Sequence, residues 1–271
     1  MADNGAIITL TTDFGTRDWY VAAMKGVILS INPDAQVVDL THDIESHNVL
    51  ECALFLRGST RYFPSGSIHV VVVDPGVGTG RRPLCVKTAD CYYFAPDNGV
   101  LSLVVPGEEP LEAVAIENAV YLRSTVSATF HGRDMFAPAA AHVSLGVHIK
   151  ELGPEVDDIA RLEIPLPATV DAGVVEAEVI HIDRFGNVMT NLDRMSWEEL
   201  TGAHDDAGAE VVCGSVTLTP ISKTYGDVPS GAPLALWGSS GLLEISVNQG
   251  DAAKKTGAKV GDKIRIRVGE R

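Results

Sequence analysis

The chain has 271 residues, of which 45% are hydrophobic, and a formal net charge of −15 at pH 7. This length can form one large domain or two of ordinary size, and we expect two. The acidic balance argues against a nucleic-acid-binding surface, which needs a basic stripe, and suits a protein that acts on small and cationic molecules.

The cysteine pattern and the apolar runs indicate a cytoplasmic protein. No Cys-x-x-Cys pair and no metal-finger spacing occurs, so we expect reduced thiols. The N-terminus is polar and acidic, and no apolar run approaches the ~20 residues of a membrane span, so we expect neither secretion nor a membrane partner. The four cysteines are Cys52, Cys85, Cys91 and Cys213.

The N-terminal part of the chain alternates between strand-like and helix-like segments. Asp18 is placed to cap a helix that ends where Asn32 precedes a proline. Strand, helix, strand, helix, strand in this order predicts right-handed parallel crossovers and therefore an α/β sheet flanked by helices. The predicted elements are strands at Ala6–Thr12, Gln36–Leu40 and Val70–Val73, and helices at Trp19–Ile31 and Asn48–Gly58.

The stretch Val71–Arg82 is the most informative part of the sequence. Four consecutive valines, Val70–Val73, lack polar alternation, which predicts a strand covered on both faces. Pro75 and three alternate glycines then stop the strand and allow a tight turn. Asp74 is thereby placed at the carboxyl end of a buried strand, where open α/β sheets bind ligands, with Arg81 seven residues later. The alternative is a structural turn with a capping aspartate.

The segments after this turn exclude the common nucleotide motifs. Pro83–Lys87 and Cys91–Ala95 are predicted as two strands, and the glycine spacing matches neither a dinucleotide fingerprint nor a P-loop. Val100–Val105 is predicted to start a short helix. A longer helix is predicted over Met135–Leu145 despite Pro138, with His131 near its start, where the helix dipole favours the neutral imidazole.

Beyond a proline-containing connection, the pattern changes to short strands separated by turn residues, which is typical of a small β-barrel. We therefore predict an N-terminal α/β domain at 1–160, a linker at 161–173 and a smaller C-terminal β-barrel domain at 174–271. The predicted barrel strands are Val174–Ile182, Val188–Asn191, Glu210–Thr219, Pro233–Trp237, Leu242–Val247 and Lys263–Val268, with a helical turn at Ser196–Leu200.

Six motifs occur in one order across nearly the whole chain. Together they resemble the S-adenosyl-L-methionine (SAM) hydroxide adenosyltransferases, or SAM hydrolases, which are related to the SAM-dependent fluorinase and chlorinase. The motifs are Thr12–Gly15, Val73–Thr79 with Arg81, Ala95–Gly99, Phe130–Asp134, Ile182–Asn187 and Gly238–Gly241.

The resemblance implies an activity and an assembly. Water or hydroxide would attack C5′ of the SAM ribose and release adenosine and methionine, with no cofactor and no metal, since SAM is the substrate. The protein would be a homotrimer whose active sites lie between the N-terminal domain of one subunit and the barrel of its neighbour.

The resemblance also implies roles for particular residues. Asp74, Arg81 and His131 match the set that positions and activates the water. Either His131 or Asp74 could take the proton, while the guanidinium of Arg81, which stays protonated, would orient both. The matching substrate-binding positions are Asp13 for the ribose, Asp183 and Ser239 for the methionine part, and Asn187, Asn248 and Tyr225 near the adenine.

Three features argue against halide chemistry. In the halogenases, the position of Asp74 resembles a tyrosine site. The position of Gly132 resembles a serine site there. Only thirteen residues, Arg82 to Phe94, separate the glycine turn from the next motif, where the fluorinase carries an inserted loop. The turn that begins at Asp183 is also one residue shorter than in the fluorinase, so its role is carried over less directly than that of Asp13.

Three other functions remain alternatives. One is a halogenase, and another is a non-catalytic SAM or adenosine sensor. The third is a metal-dependent hydrolase built on Asp13, Asp43, Asp74 and His131, although no Asp-x-Asp or His-x-x-x-His ligand pair is present.

Overall fold

The computed structural model describes residues 5–105, 112–202, 206 and 208–269. The chain divides into an N-terminal unit, Met1–Leu162, and a C-terminal unit, Glu163–Arg271.

The N-terminal unit is built on a six-stranded sheet with the order β2-β1-β3-β5-β4-β6. The first four strands in this order are parallel, while β4 is antiparallel to both β5 and β6, so the prediction of a largely parallel sheet is confirmed. The strands are β1 (Ile7–Thr12), β2 (Gln36–Thr41), β3 (Ile68–Val72), β4 (Pro83–Lys87), β5 (Tyr92–Pro96) and β6 (Glu112–Ala115). The helices are α1 (Tyr20–Ile31), α2 (Val49–Ser59), a π-helical segment (Gly132–Phe136) and α3 (Ala137–Ser144), with 3-10 turns at Thr60–Tyr62, Ala119–Tyr121 and Ile149–Glu151.

Both faces of β3 are buried, as the run of valines predicts. Val70 and Val72 belong to the apolar cluster that contains residues of α1 and α3. Val71 and Val73 belong to a second cluster, which contains residues of α2. Alternate side chains of a strand point to opposite faces, so each face of the sheet has its own helical cover.

Three predicted elements of the N-terminal unit differ from the structure. The N-cap position of helix α1 is Trp19 and not the predicted Asp18. The Trp19 side chain makes no capping hydrogen bond. The segment Val100–Val105, predicted to start a helix, is a set of turns. Val105 precedes a proline, and a residue in that position disfavours the helical conformation, so a helix cannot extend further. Helix α3 is preceded by the π-helical segment, which leaves Pro138 in the first turn of α3, where its missing N–H costs nothing. Strand β6 was not predicted.

The C-terminal unit is an antiparallel, nearly closed sheet of eight strands. Its main path is β11-β10-β14-β8-β9-β13-β12, and β7 pairs with β8 beside it. Parallel bridging between Ser222 and Leu236 brings the chain after β11 onto β12. The strands are β7 (Ala168–Asp171), β8 (Val174–Ile182), β9 (Val188–Asp193), β10 (Glu210–Cys213), β11 (Val216–Leu218), β12 (Pro233–Trp237), β13 (Leu242–Val247) and β14 (Lys263–Arg267), and the helices are α4 (Arg194–Thr201) and α5 (Ala252–Thr256), with a 3-10 turn at Tyr225–Asp227.

Two details of this unit differ from the predictions. The single strand predicted at Glu210–Thr219 is a hairpin of β10 and β11, which turns at Gly214 with a φ of +57°. Strand β7 lies within the stretch predicted as a linker. No helix in the described ranges combines the length and the apolar character that crossing a membrane requires.

Candidate active site

The carboxyl ends of β1 and β3 place two aspartates at the same edge of the sheet. The strands are parallel neighbours, with Thr12 opposite Val72 in the register. Asp13 directly follows Thr12, and Asp74 lies two residues beyond Val72. Both carboxylates therefore lie at the edge where open α/β sheets bind ligands, as the sequence predicts.

Asp74, Arg81 and His131 form one connected group at this edge. Arg81 Nε lies 3.0 Å from each carboxylate oxygen of Asp74, and Arg81 Nη2 also donates to Asp74. The same Nη2 lies 2.8 Å from His131 Nδ1. The side chains of Asp74 and Arg81 are only 4% and 8% exposed, so this is a charge pair held largely away from bulk solvent. The structure brings the three predicted catalytic residues together.

The glycine turn that carries Arg81 back to Asp74 is fixed by close packing. Gly78 has a φ of +75°, and a Cβ there would lie 2.3 Å from the carbonyl oxygen of Ala128, so only glycine fits. At the start of the turn, Asn98 Nδ2 donates to the carbonyl of Val73 at 2.9 Å. Asn98, which belongs to the Ala95–Gly99 motif, thus supports the residue next to Asp74.

Arg81 decides the tautomer of His131. A guanidinium has no acceptor, so Nδ1 of the imidazole accepts the hydrogen bond and is unprotonated. The neutral ring then carries its proton on Nε2. Burial and the charge of Arg81 lower the pKa of His131, against the opposing effect of Asp74 and of Asp134. The imidazole is therefore neutral near pH 7, in agreement with the expectation from the sequence.

Asp134 holds a neighbouring loop in place and was not identified from the sequence as a site residue. Its carboxylate is fully buried, pairs with Arg133 at 2.6 Å, and accepts from the backbone N–H of Ser127 at 2.9 Å. Ala128, the residue packed against Gly78, follows Ser127 directly. The signal for Asp134 is its place in the Phe130–Asp134 motif, one helical turn after His131.

Asp13 is held by the segment that follows β2. Its Oδ2 accepts from the backbone N–H of His47 at 2.9 Å. His47 has a φ of +69°, in the left-handed region that non-glycine residues seldom adopt. His47 is exposed.

The substrate-binding residues predicted in the C-terminal unit form a second group. Asp183 Oδ1 accepts from the backbone N–H groups of Phe185 and Asn187, and its Oδ2 accepts from Asn187 Nδ2 at 2.9 Å. Asn187 and Tyr225 line one cavity of about 450 Å³, together with Phe185 and Gln249. The structure thus brings Asn187 and Tyr225 to one cavity, while Asp183 shapes the turn that carries Asn187.

Tyr225 has a buried partner that the sequence analysis missed. Its hydroxyl donates to Glu244 Oε1 at 2.8 Å, and Ser246 Oγ donates to the same oxygen at 2.6 Å. Burial, followed by the hydrogen bond and charge of Glu244, raises the pKa of Tyr225 to about 12. A glutamate inside the apolar run Leu242–Val247 was the available signal, since charged residues are seldom buried without a partner.

The remaining two predicted residues lie in loops of the C-terminal unit. Asn248 directly follows β13, and its Nδ2 donates to the carbonyl of Val228 at 2.7 Å. This amide therefore holds the loop that precedes β12. Ser239 is exposed in the turn between β12 and β13. The structure does not join either side chain to the Asp183–Asn187 pair by a hydrogen bond among the described residues. Within those residues, no group of three or more His, Cys, Asp or Glu side chains is placed to hold a metal ion.

Comparison with known proteins places the chain in a family. A model of the SAM hydroxide adenosyltransferase N-terminal domain matches residues 8–153, and a model of the C-terminal domain matches residues 177–265. The chain belongs to the SAM hydroxide adenosyltransferase family.

Relatives in this family carry two kinds of name. The chain is 38% identical, over 94% of its length and 97% of the relative's, to an (R)-S-adenosyl-L-methionine hydrolase of Thermus thermophilus. It is 28% identical to a fluorinase of an Actinoplanes species, with 98% of each chain covered. A crystal structure of an uncharacterized conserved protein from Thermotoga maritima is 39% identical and superposes with a TM-score of 0.86 over 96% of this chain and 99% of that one.

The packing around Gly132 bears on the difference between the relatives named as hydrolases and those named as fluorinases. A Cβ at this position would lie 3.2 Å from Met24 Sδ and 3.3 Å from both γ-carbons of Val72. The serine that the resemblance assigns to halogenases would therefore crowd the face of β3 here. The sequence indicates that a hydroxyl is missing, and the structure adds that there is little room for one.

Proposed function

We propose that the protein hydrolyses S-adenosyl-L-methionine to adenosine and L-methionine. The observation that carries this proposal is the hydrogen-bonded Asp74–Arg81–His131 group at the carboxyl edge of the sheet, the same edge at which β1 leads into Asp13. The Thermus thermophilus relative named as a hydrolase of this substrate, 38% identical over most of the chain, supports the same reaction.

The reaction is a single displacement at C5′ of the ribose. The water oxygen forms a bond to C5′, the C5′–sulfur bond breaks, and its electron pair stays on the sulfur of methionine. One water proton goes to a base. The sulfonium leaves as a neutral thioether, so the reaction needs no general acid. The main requirement is a water molecule that is aligned with C5′ and loses a proton to a base.

The hydrogen bonds favour Asp74 as the proton acceptor. His131 Nδ1 is already occupied by Arg81, and Nε2 carries the ring proton, so the neutral imidazole offers a donor. Asp74 Oδ2 accepts from both Nε and Nη2 of Arg81, whereas Oδ1 accepts from Nε alone and keeps acceptor capacity. In this arrangement His131 orients the water, Arg81 holds the carboxylate in line, and Asp74 takes the proton. A positioned base contributes about 10²–10⁴-fold to such a step.

The second part of the proposal concerns the substrate and the assembly. Asp13 would hold the ribose hydroxyls, while Asp183, Asn187, Tyr225, Ser239 and Asn248 would contact the methionine and adenine parts. The candidate residues form two groups, one in each unit of the chain, which fits a homotrimer whose active sites are shared between subunits. Light scattering at several protein concentrations tests the trimer, and a monomer at all of them would contradict it.

We also propose that no metal or cofactor takes part and that the enzyme works in the cytoplasm. The four cysteines are free thiols, which fits a reducing compartment. Full activity after treatment with a chelator is the expected result, and activity restored only by a divalent cation would support the metal-dependent alternative.

One experiment separates the candidate functions. Purified protein is incubated with SAM, with and without chloride or fluoride, and the nucleoside products are separated by chromatography. Adenosine in both cases supports the hydrolase. A 5′-halogenated nucleoside that requires the halide indicates a halogenase, and SAM that is bound but unchanged indicates a sensor.

A further inference from the structure

The turn that carries Asp13 is supported from beneath by one buried histidine. The carbonyl oxygen of His42 accepts from the backbone N–H of Gly15 at 2.7 Å. Its ring Nδ1 lies 2.9 Å from Thr12 Oγ1, and Thr12 Oγ1 in turn accepts from the backbone N–H of Phe14 at 3.2 Å. The residues on both sides of Asp13 are therefore tied to His42, which is only 5% exposed.

A bulge in the neighbouring strand aims His42 at this turn. The register between β1 and β2 shifts after Leu10, so that Asp39 faces Leu10 while Thr41 faces Thr11. Such a bulge bends the strand and redirects the side chains that follow. His42 is the first residue after β2, and it reaches the end of β1 as a result.

The ring of His42 lies between Thr12 and Asp39. Because Thr12 Oγ1 accepts from Phe14, its own proton is available to donate to His42 Nδ1. The opposite ring nitrogen, Nε2, lies 2.9 Å from Asp39 Oδ1, in a bent contact rather than a linear hydrogen bond. Asp39 also pairs with Lys25 at 2.5 Å, so the ring links the Asp13 turn to a surface ion pair.

The order hydroxyl, imidazole, carboxylate is that of a hydrolytic triad, but this group is not a second catalytic site. Thr12 is fully buried, so no substrate can reach its hydroxyl. The hydroxyl also holds the backbone N–H of Phe14, which it would have to release in order to act as a nucleophile.

We propose that His42 and Thr12 are positioning residues that hold Asp13 in the geometry for binding the ribose. This inference rests on the proposed hydrolysis of SAM and on the proposed role of Asp13. Because Asp13 would contact the ribose in the substrate and in the transition state alike, loosening its turn is expected to raise KM for SAM and to leave kcat nearly unchanged.

The test compares two buried threonines of the same strand. Thr12→Val removes the hydroxyl but keeps the branched shape, and Thr12→Ser restores the hydroxyl. Thr9 provides the matched control, because it is equally buried and its Oγ1 lies 2.7 Å from Nδ1 of another buried histidine, His69. Thr9 is three positions from Thr12, so its side chain points to the opposite face of the strand. Steady-state kinetics of adenosine release and the thermal midpoint are measured for Thr12→Val, Thr12→Ser and Thr9→Val.

We expect Thr12→Val to raise KM about 10-fold, the loss that one buried hydrogen bond represents, with kcat within about 3-fold of the wild type. Thr12→Ser restores KM, and Thr9→Val lowers the thermal midpoint without changing KM. If Thr12→Val and Thr9→Val lower the thermal midpoint and neither changes KM, the hydroxyl is merely structural and the proposal is overturned.

A surface variant keeps the test valid if Thr12→Val does not fold. The side chain of Asp39 is 41% exposed, so Asp39→Asn is expected to fold, and it removes the charge that faces His42. We expect it to raise KM about 2- to 3-fold, because the ring loses its charged partner and not its bond to Thr12. An unchanged KM in Asp39→Asn, in the absence of a folded Thr12→Val, contradicts the proposal.

Combining the substitutions separates this inference from the proposed function. If Thr12 acts through Asp13, the KM of Asp13→Asn does not rise further when Thr12→Val is added. Additive effects overturn the positioning role. A wild-type protein that releases no adenosine refutes the proposed function instead, and an Asp13→Asn protein with wild-type KM refutes the ribose role alone.

Discussion

The two groups of candidate residues hold their polar side chains in different ways. In the N-terminal unit, Asp74, Arg81 and His131 bond to one another, and the charged pair is almost fully buried. In the C-terminal unit, the Asp183 carboxylate accepts hydrogen bonds from backbone N–H groups of its own turn, and Tyr225 is 44% exposed. The first group is a network of side chains, and the second consists of a turn shaped by Asp183 and a half-exposed tyrosine held by Glu244.

This difference separates chemistry from recognition. Groups that act on a transition state have to be fixed before the substrate arrives, and mutual bonding among buried charges achieves this. A binding surface needs exposed edges, such as the ring of Tyr225 beside its cavity. We therefore expect substitutions in the N-terminal group to lower kcat and substitutions in the C-terminal group to raise KM.

The largest effect is expected from Arg81→Ala. This change leaves the buried Asp74 carboxylate without its partner and releases His131, so the water loses both of its orienting groups. We expect kcat to fall about 10²–10⁴-fold, with a much smaller change in KM. Steady-state adenosine release over a range of SAM concentrations measures both constants.

Arg82→Ala is the matched control for Arg81→Ala. Arg82 is the adjacent arginine and also pairs with aspartates, but its partners are Asp97 and the exposed Asp158. We expect its kcat to stay within about 3-fold of the wild type, since neither Asp97 nor Asp158 belongs to the group that would act on the water. Equal losses in the two variants would show that the turn as a whole matters rather than the Asp74–Arg81 pair. Loss of SAM affinity with normal kcat would move Arg81 to the binding group.

The next effect is a pH dependence that comes from His131. Its pKa is lowered by burial and by Arg81, so the ring stays neutral down to a pH below its ordinary value of 6.5. Protonation at lower pH would break the bond that Arg81 donates to Nδ1 and place two cations together. We expect kcat/KM to be constant near pH 7 and to fall about tenfold per pH unit below the lowered pKa.

Two variants test whether His131 causes this fall of kcat/KM at low pH, called the acid limb below. His131→Gln should abolish the limb while lowering kcat. His142→Gln should keep it, although burial also lowers the pKa of His142, because that ring packs on Tyr121 away from the candidate site. An acid limb that disappears in His142→Gln and persists in His131→Gln would contradict the assignment.

The sequence was sufficient for the parts of the N-terminal site that depend on the strand order. The run Val70–Val73 predicts a buried central strand, and a buried parallel strand leads its next polar residue, Asp74, to the ligand-binding edge. The contact between Arg81 and His131 was not predictable from the residues alone. The two are fifty positions apart, and their meeting depends on the packing of Gly78 against Ala128.

The C-terminal site was less accessible to sequence reasoning, because its residues act through turns. The resemblance implies a substrate contact for Asp183, which stays a prediction, and it gave no sign of the bonds that Asp183 accepts from Phe185 and Asn187. Glu244 lies in a segment that the sequence predicts as an apolar strand, and its pairing with Tyr225 depends on how β13 faces the chain after β11. Short strands with turn residues predict a barrel but not which loops meet.

A smaller effect, on stability, is expected from Gly132→Ser. The new Cβ would crowd Met24 and Val72 within the core beside β3, and overpacking of this kind costs about 1–3 kcal/mol. Chemical denaturation measures the loss, and product analysis with chloride tests whether the added hydroxyl permits halide chemistry. We expect a less stable hydrolase that forms no halogenated nucleoside. Undiminished stability would show that the face of β3 has room for the side chain.

The smallest effect is expected from Tyr225→Phe, which tests the recognition side of the comparison. The change removes one hydrogen bond to Glu244 and keeps the ring against the cavity. We expect KM for SAM to rise about 3- to 10-fold, the equivalent of roughly one hydrogen bond, with kcat unchanged.

Tyr121→Phe is the control for Tyr225→Phe, since Tyr121 also donates to a glutamate, Glu151, at 2.8 Å, but outside both candidate groups. It should leave KM and kcat as they are. A lowered kcat in Tyr225→Phe would break the comparison, because the C-terminal group would then act on the transition state. An unchanged KM would remove Tyr225 from the binding residues and leave Asn187 as the polar side chain that faces this cavity together with Gln249.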